Sequence, residues 1–69
     1  GVIAGAADLL LLKSNKFYGY LAIEMKTKTG RQSDSQRAFE AAVAASGGSY
    51  RLCRCFDEFR NTVEEYLNN

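Results

Sequence analysis

FYGYLAIEMK, residues 17–26, is the stretch on which the fold turns. It is rich in aromatic and apolar residues and reads as a strand. Side chains alternate along a strand, so Ile23 and Met25 face one way while Glu24 and Lys26 face the other. Ile23 and Met25 are expected to anchor this strand in the core. Just upstream, Lys13-Ser14-Asn15-Lys16 is a polar turn. Before it, Asp8 to Leu12 makes a first strand, whose leucine run suits burial on both faces. With so short a connection the two strands should form an antiparallel hairpin turning near Ser14 to Phe17.

Downstream lies a basic loop, residues 27–32, containing Gly30. Ser33 with Gln36 three positions later is a capping-box pattern. The helix it opens carries Phe39, Ala42, Val43 and Ser46 at helical spacing, and its alanines favour helix and close packing. Gly47-Gly48 ends it as a C′ glycine would. Ser49 to Cys55 alternates bulky and basic residues and reads as a third strand. Strand, helix, strand in this order implies a right-handed crossover with the second and third strands parallel. Asp57 to Leu67 is a final amphipathic helix, with Phe59, Val63, Tyr66 and Leu67 inward. Its early acids, Asp57 and Glu58, suit the positive end of the helix dipole. The expectation is one α/β domain over residues 1–69 with a small mixed sheet, order β-β-α-β-α: an antiparallel hairpin, then a right-handed βαβ crossover.

At 69 residues the core is thin, because a chain this short buries only about 60% of its unfolded surface. At 46% hydrophobic residues it is nevertheless globular rather than disordered. The net charge of +1 hides a division. Lys13, Lys16, Lys26, Lys28, Arg31 and Arg37 make a basic middle, whereas Asp57, Glu58, Glu64 and Glu65 make an acidic end. Such a balance fits an anion-binding face beside a solvated helix. Cys53 and Cys55 share a strand face in this reading. They cannot form an ordinary disulfide with each other, and read as partly buried small hydrophobes in a reducing compartment. Without histidine, zinc sites and nucleophile–histidine pairs have no support, and no GxxxxGK or GxGxxG phosphate loop occurs. The longest apolar run, Leu9 to Leu12, is far too short for a membrane span, and the apolar start has no basic n-region of a signal peptide.

One constellation could carry chemistry. The hairpin brings Asp8, at the start of the first strand, towards Glu24, near the end of the second. Two adjacent carboxylates repel unless a cation lies between them. Oxygen ligands of this kind suit Mg²⁺ or Mn²⁺, with Lys26 on the same face available to stabilise a phosphoryl transition state. Each piece alone is ordinary. Glu-x-Lys is common on exposed strand faces, Gln36 is fully explained by the capping box, and Tyr18 and Tyr20 are packing or rim aromatics. Their order and spacing set them apart.

That order resembles the virus-type replication-repair nuclease domain (VRR-NUC), a branch of the PD-(D/E)xK nuclease superfamily. The matching residues are Gly5-Ala6-Ala7-Asp8-Leu9-Leu10-Leu11, then Ile23-Glu24-Met25-Lys26, then Gly30-Arg31-Gln32-Ser33-Asp34-Ser35-Gln36. The usual proline before the aspartate is Ala7 here. The resemblance implies a restriction-endonuclease-like sheet and a metal-dependent DNA endonuclease, acting on branched DNA such as Holliday junctions as a homodimer. A cytoplasmic protein of phage or bacterial origin is expected. By the same resemblance Asp8 and Glu24 would be metal ligands, with the main-chain carbonyl of Met25, for Mg²⁺ or Mn²⁺. Lys26 would be the catalytic lysine and Gln36 would sit at the site's edge. Lys28, Arg31, Ser33 and Arg37 are the expected DNA contacts. Family members generally carry an upstream helix with an acidic residue that reaches the site; none is visible before Asp8, so the expectation is either a chain cut short upstream of Gly1 or a member that does without that helix. The competing expectation is a non-catalytic nucleic-acid-binding or assembly module using the basic loop 26–37, whose binding would be steeply salt-dependent.

Overall fold

The computed structural model describes residues 7–69, so the Gly5-Ala6 part of the aspartate motif and any segment before it lie outside the described residues. The element order is β1 (Leu9–Leu11), β2 (Leu21–Met25), α1 (Asp34–Ala45), β3 (Ser49–Cys53) and α2 (Phe56–Asn68). The three strands form one mixed sheet in the order β1-β2-β3. β1 pairs antiparallel with β2, with Leu9 across from Ile23, and β2 pairs parallel with β3, with Glu24 across from Leu52. The β-β-α-β-α arrangement expected from the sequence is the one observed.

Both ends of α1 follow from local chemistry. The Ser33 hydroxyl accepts the Gln36 N–H, and the Gln36 side chain accepts the Ser33 N–H at 2.9 Å, closing the capping box. At the other end the Gly48 N–H reaches the Val43 carbonyl and the Gly47 N–H the Ala44 carbonyl, the paired bonds of a Schellman motif. Gly47 takes φ +85°, where a side chain would be strained.

The alternation of β2 divides the molecule into two packed faces. Leu21 and Ile23 meet Cys53 and Tyr66, with Leu11, Phe59 and Val63 packed around them. This is the apolar core under α2. Ala22 and Glu24 lie on the opposite face, where Phe39 of α1 meets Tyr50 of β3 edge-on at 6.4 Å. Asn15 ties the connection between β1 and β2 to α2. Its amide donates to the Tyr66 carbonyl and its Oδ1 accepts the N–H groups of Phe17 and Tyr18. The Tyr66 hydroxyl in turn donates to the Lys13 carbonyl.

Several sequence expectations are corrected here. β1 is not buried on both faces: Leu9 and Leu10 are 41% and 50% exposed, because β1 is an edge strand and only Leu11 reaches the core. β2 begins at Leu21 rather than Phe17, since the Asn15 side chain holds residues 17 and 18 in a turn and leaves both rings exposed. Met25 does not anchor the strand in the core. It is exposed because β1 pairing stops at Ile23. β3 ends at Cys53, so Cys53 is buried, whereas Cys55 becomes the exposed N-cap of α2. Leu67 is exposed, because the inward stripe of α2 runs through Phe59, Thr62, Val63 and Tyr66.

Candidate active site

The polar half of β2 does not face water. Glu24 is only 3% exposed, pressed between the sheet and the first turn of α1. Its Oε1 accepts a hydrogen bond from the Gln36 amide. The Gln36 side chain therefore works at both ends, its Oε1 holding the Ser33 N–H and its Nε2 holding the Glu24 carboxylate. The capping box that starts α1 is also what aims Gln36 at β2. Lys26 Nζ stands 3.7 Å from the same Glu24 oxygen.

Asp8 reaches this edge from β1. One step beyond the Leu9–Ile23 pair, it stands across from Glu24, and its Oδ2 accepts the Met25 N–H at 2.9 Å. N–H and C=O of an extended residue point to the same side, so the Met25 carbonyl also faces the β1 edge. The structure thus brings Asp8, Glu24, Met25, Lys26 and Gln36 together. It does not gather the four expected DNA contacts there. Lys28 and Arg31 lie exposed on the loop after β2. The Ser33 hydroxyl is occupied by its cap, and exposed Arg37 pairs with Asp34 at 2.5 Å.

Residues assigned no role from the sequence complete the surroundings. Gln32 donates to Glu40 at 3.1 Å and to the Tyr50 hydroxyl at 3.3 Å. Burial pushes the pKa of the Tyr50 phenol above its usual 10.0; the Gln32 hydrogen bond opposes this, and the charges of Glu24, Glu40 and Asp8 push it further up. The phenol therefore senses both site carboxylates. Helical spacing could have flagged Glu40, one turn after Gln36, and strand alternation could have placed Tyr50 on the Glu24 face.

The VRR-NUC domain family model matches residues 1–57 of the 69-residue chain. The chain belongs to the VRR-NUC family. It is accordingly a nuclease-type domain, and a DNA-binding one. No curated protein and no solved structure gives a significant match.

Within this VRR-NUC domain, one atom tests whether a cation fits. Glu24 Oε2 is buried without a hydrogen-bond partner among the described residues. A buried carboxyl oxygen left unpaired costs about 1–3 kcal/mol or more, so such an atom calls for an explanation. Among the described residues no group of three or more His, Cys, Asp or Glu converges. The acidic donors are two, Asp8 and Glu24, beside a main-chain carbonyl. An all-oxygen set of two carboxylates and a carbonyl fits a hard divalent cation that keeps several waters. No described helix is long and apolar enough to cross a membrane.

Proposed function

We propose that this VRR-NUC domain is a metal-dependent, structure-specific DNA endonuclease that hydrolyses phosphodiesters of branched DNA, such as Holliday junctions, as a homodimer. The observation that supports the reading is the buried Glu24 carboxylate, with Oε1 held by Gln36 and Oε2 left without a hydrogen-bond partner among the described residues. Asp8, Glu24 and the Met25 carbonyl would hold Mg²⁺ or Mn²⁺. A bound ion supplies an activated water and offsets charge developing on the phosphate.

The chain's own residues supply the rest. Gln36 fixes the Glu24 rotamer so that Oε2, not Oε1, is presented. Lys26 places its ammonium beside that carboxylate, where it stabilises negative charge building on the phosphoryl oxygens. Lys28 and Arg31 extend the positive rim along which a DNA backbone can lie, and Ser33 and Arg37 flank it at the start of α1.

The test is cleavage of labelled four-way junctions in Mn²⁺ by wild type, Asp8→Ala and Lys26→Ala. Wild type is expected to cut, with each variant slower by about 10²-fold or more. Equal cutting by all three proteins would refute the assignment. Salt-sensitive junction binding without cleavage, unchanged in Asp8→Ala, would hand the domain to the non-catalytic binding role.

A further inference from the structure

Arg54 stands just past β3, far in sequence from the residues above, yet its guanidinium closes on the loop that follows Lys26. Its Nη1 donates to the carbonyls of Thr27 at 2.8 Å, Gly30 at 2.7 Å and Lys28 at 3.3 Å. Three main-chain oxygens converging on one cationic nitrogen make charge-assisted bonds, the stronger kind. The Arg54 backbone is itself held, its N–H donating to Glu58 Oε1 at 2.6 Å at the start of α2. The loop has a fixed shape in return. The Gly30 N–H meets the Thr27 carbonyl at 3.3 Å, and a Cβ at Gly30 would come within 2.9 Å of Thr27 Oγ1. That same Cβ position would lie 3.7 Å from Lys26 Cδ, so Gly30 stands beside the stem of the lysine, with room for no larger residue to be added without touching it. Lys26 is left with only 20% of its side chain exposed, 3.7 Å from Glu24.

We propose that Arg54 is a positioning residue for Lys26: it clamps the Thr27–Gly30 loop in the shape that confines the lysine stem and holds its ammonium at the Glu24 carboxylate. The confinement is a property of the fold; its catalytic consequence rests on the endonuclease reading. A loop released from three carbonyl bonds would leave Lys26 free to sample rotamers pointing to solvent. A misplaced catalytic group lowers the rate of the chemical step more than it lowers DNA affinity.

Two readouts separate these layers. The first is lysine acetylation by an N-hydroxysuccinimide ester, followed residue by residue by mass spectrometry. Lys26 should label several-fold faster in Arg54→Ala than in wild type, while Lys13 and Lys16 keep their rates. Unchanged Lys26 labelling would overturn the proposal, whether or not the protein cuts DNA. The second is cleavage kinetics, where kcat should fall about tenfold in Arg54→Ala with KM within about twofold. An unchanged kcat would overturn the catalytic part. Arg54→Lys keeps the charge but loses the planar fork, and should fall between the two proteins in both readouts. It also decides the matter if Arg54→Ala fails to fold. Faster labelling of Lys26 alone then supports the clamp, and a wild-type rate refutes it.

Discussion

Ile23 and Glu24 are neighbours in β2, both almost completely buried, and they do opposite things. Ile23 lies in the apolar face with Leu21, Cys53 and Tyr66, its side chain wholly buried in the core cluster. Glu24 lies in the face under α1, where one carboxyl oxygen has no hydrogen-bond partner among the described residues. Burial of Ile23 stabilises by roughly 1.5–3 kcal/mol. Burial of Glu24 costs free energy unless something completes its shell. One face holds the domain together, and the other is held in place by it. The difference shows that burial alone does not mark a residue as structural; its unsatisfied chemistry decides.

The sharpest way to break this comparison is Glu24→Gln, which keeps shape and the Gln36 contact region but removes the charge. Cleavage should fall by about 10³-fold, while thermal stability without metal stays level or rises. On the proposed reading Mn²⁺ should raise the melting temperature of wild type, and that shift should vanish in Glu24→Gln, since preferential binding to the folded state is lost. Retained cleavage would mean that the polar face is merely an awkward piece of core.

Ile23→Ala should do the reverse. It deletes methylene and methyl groups from the closed face and should cost about 2–4 kcal/mol in denaturant unfolding. Activity per folded molecule should be unchanged. A loss of cleavage beyond the unfolded fraction would show that the two faces are coupled, not separable.

A smaller effect compares two tyrosines, one on each face. Burial raises the Tyr66 phenol above its usual 10.0, whereas Tyr50 is raised by burial and also by Glu24, Glu40 and Asp8. In Glu24→Gln, tyrosine titration by NMR should move Tyr50 downward and leave Tyr66 where it is. Both folded-state values lie above the unfolded one, so the stability these phenols contribute is fully present below about pH 10. It is lost as the pH rises beyond that, where the unfolded chain gives up its protons first. Tyr66→Phe should flatten that alkaline loss, at a cost of about 1 kcal/mol at neutral pH for the hydrogen bond to the Lys13 carbonyl. An unaltered alkaline limb would mean that Tyr66 titrates as if exposed.

Much of the fold was legible because its signals are local. Ser33 and Gln36 satisfy each other three residues apart, and Gly47 supplies a left-handed turn from its own backbone. The candidate site was legible for the same reason. Strand alternation puts Glu24 and Lys26 on one side and the hairpin brings Asp8 to them; the family resemblance places Gln36 at the site's edge, and its capping box is what aims it there in the structure.

What the sequence alone determined, then, is the element order, the parallel and antiparallel pairings, and the set Asp8, Glu24, Lys26 and Gln36. Tertiary structure decided which apolar residues are buried, because burial depends on the number of neighbours. The leucines of β1 look like core and lie exposed at an edge, and Glu24 looks like a wet strand residue and is sealed beneath α1. It also decided the partnership of Arg54 with the loop after Lys26. Three carbonyls converge on a guanidinium there only because β3 lies parallel to β2 and ends beside it, a contact between residues 24 to 27 positions apart that no local pattern announces.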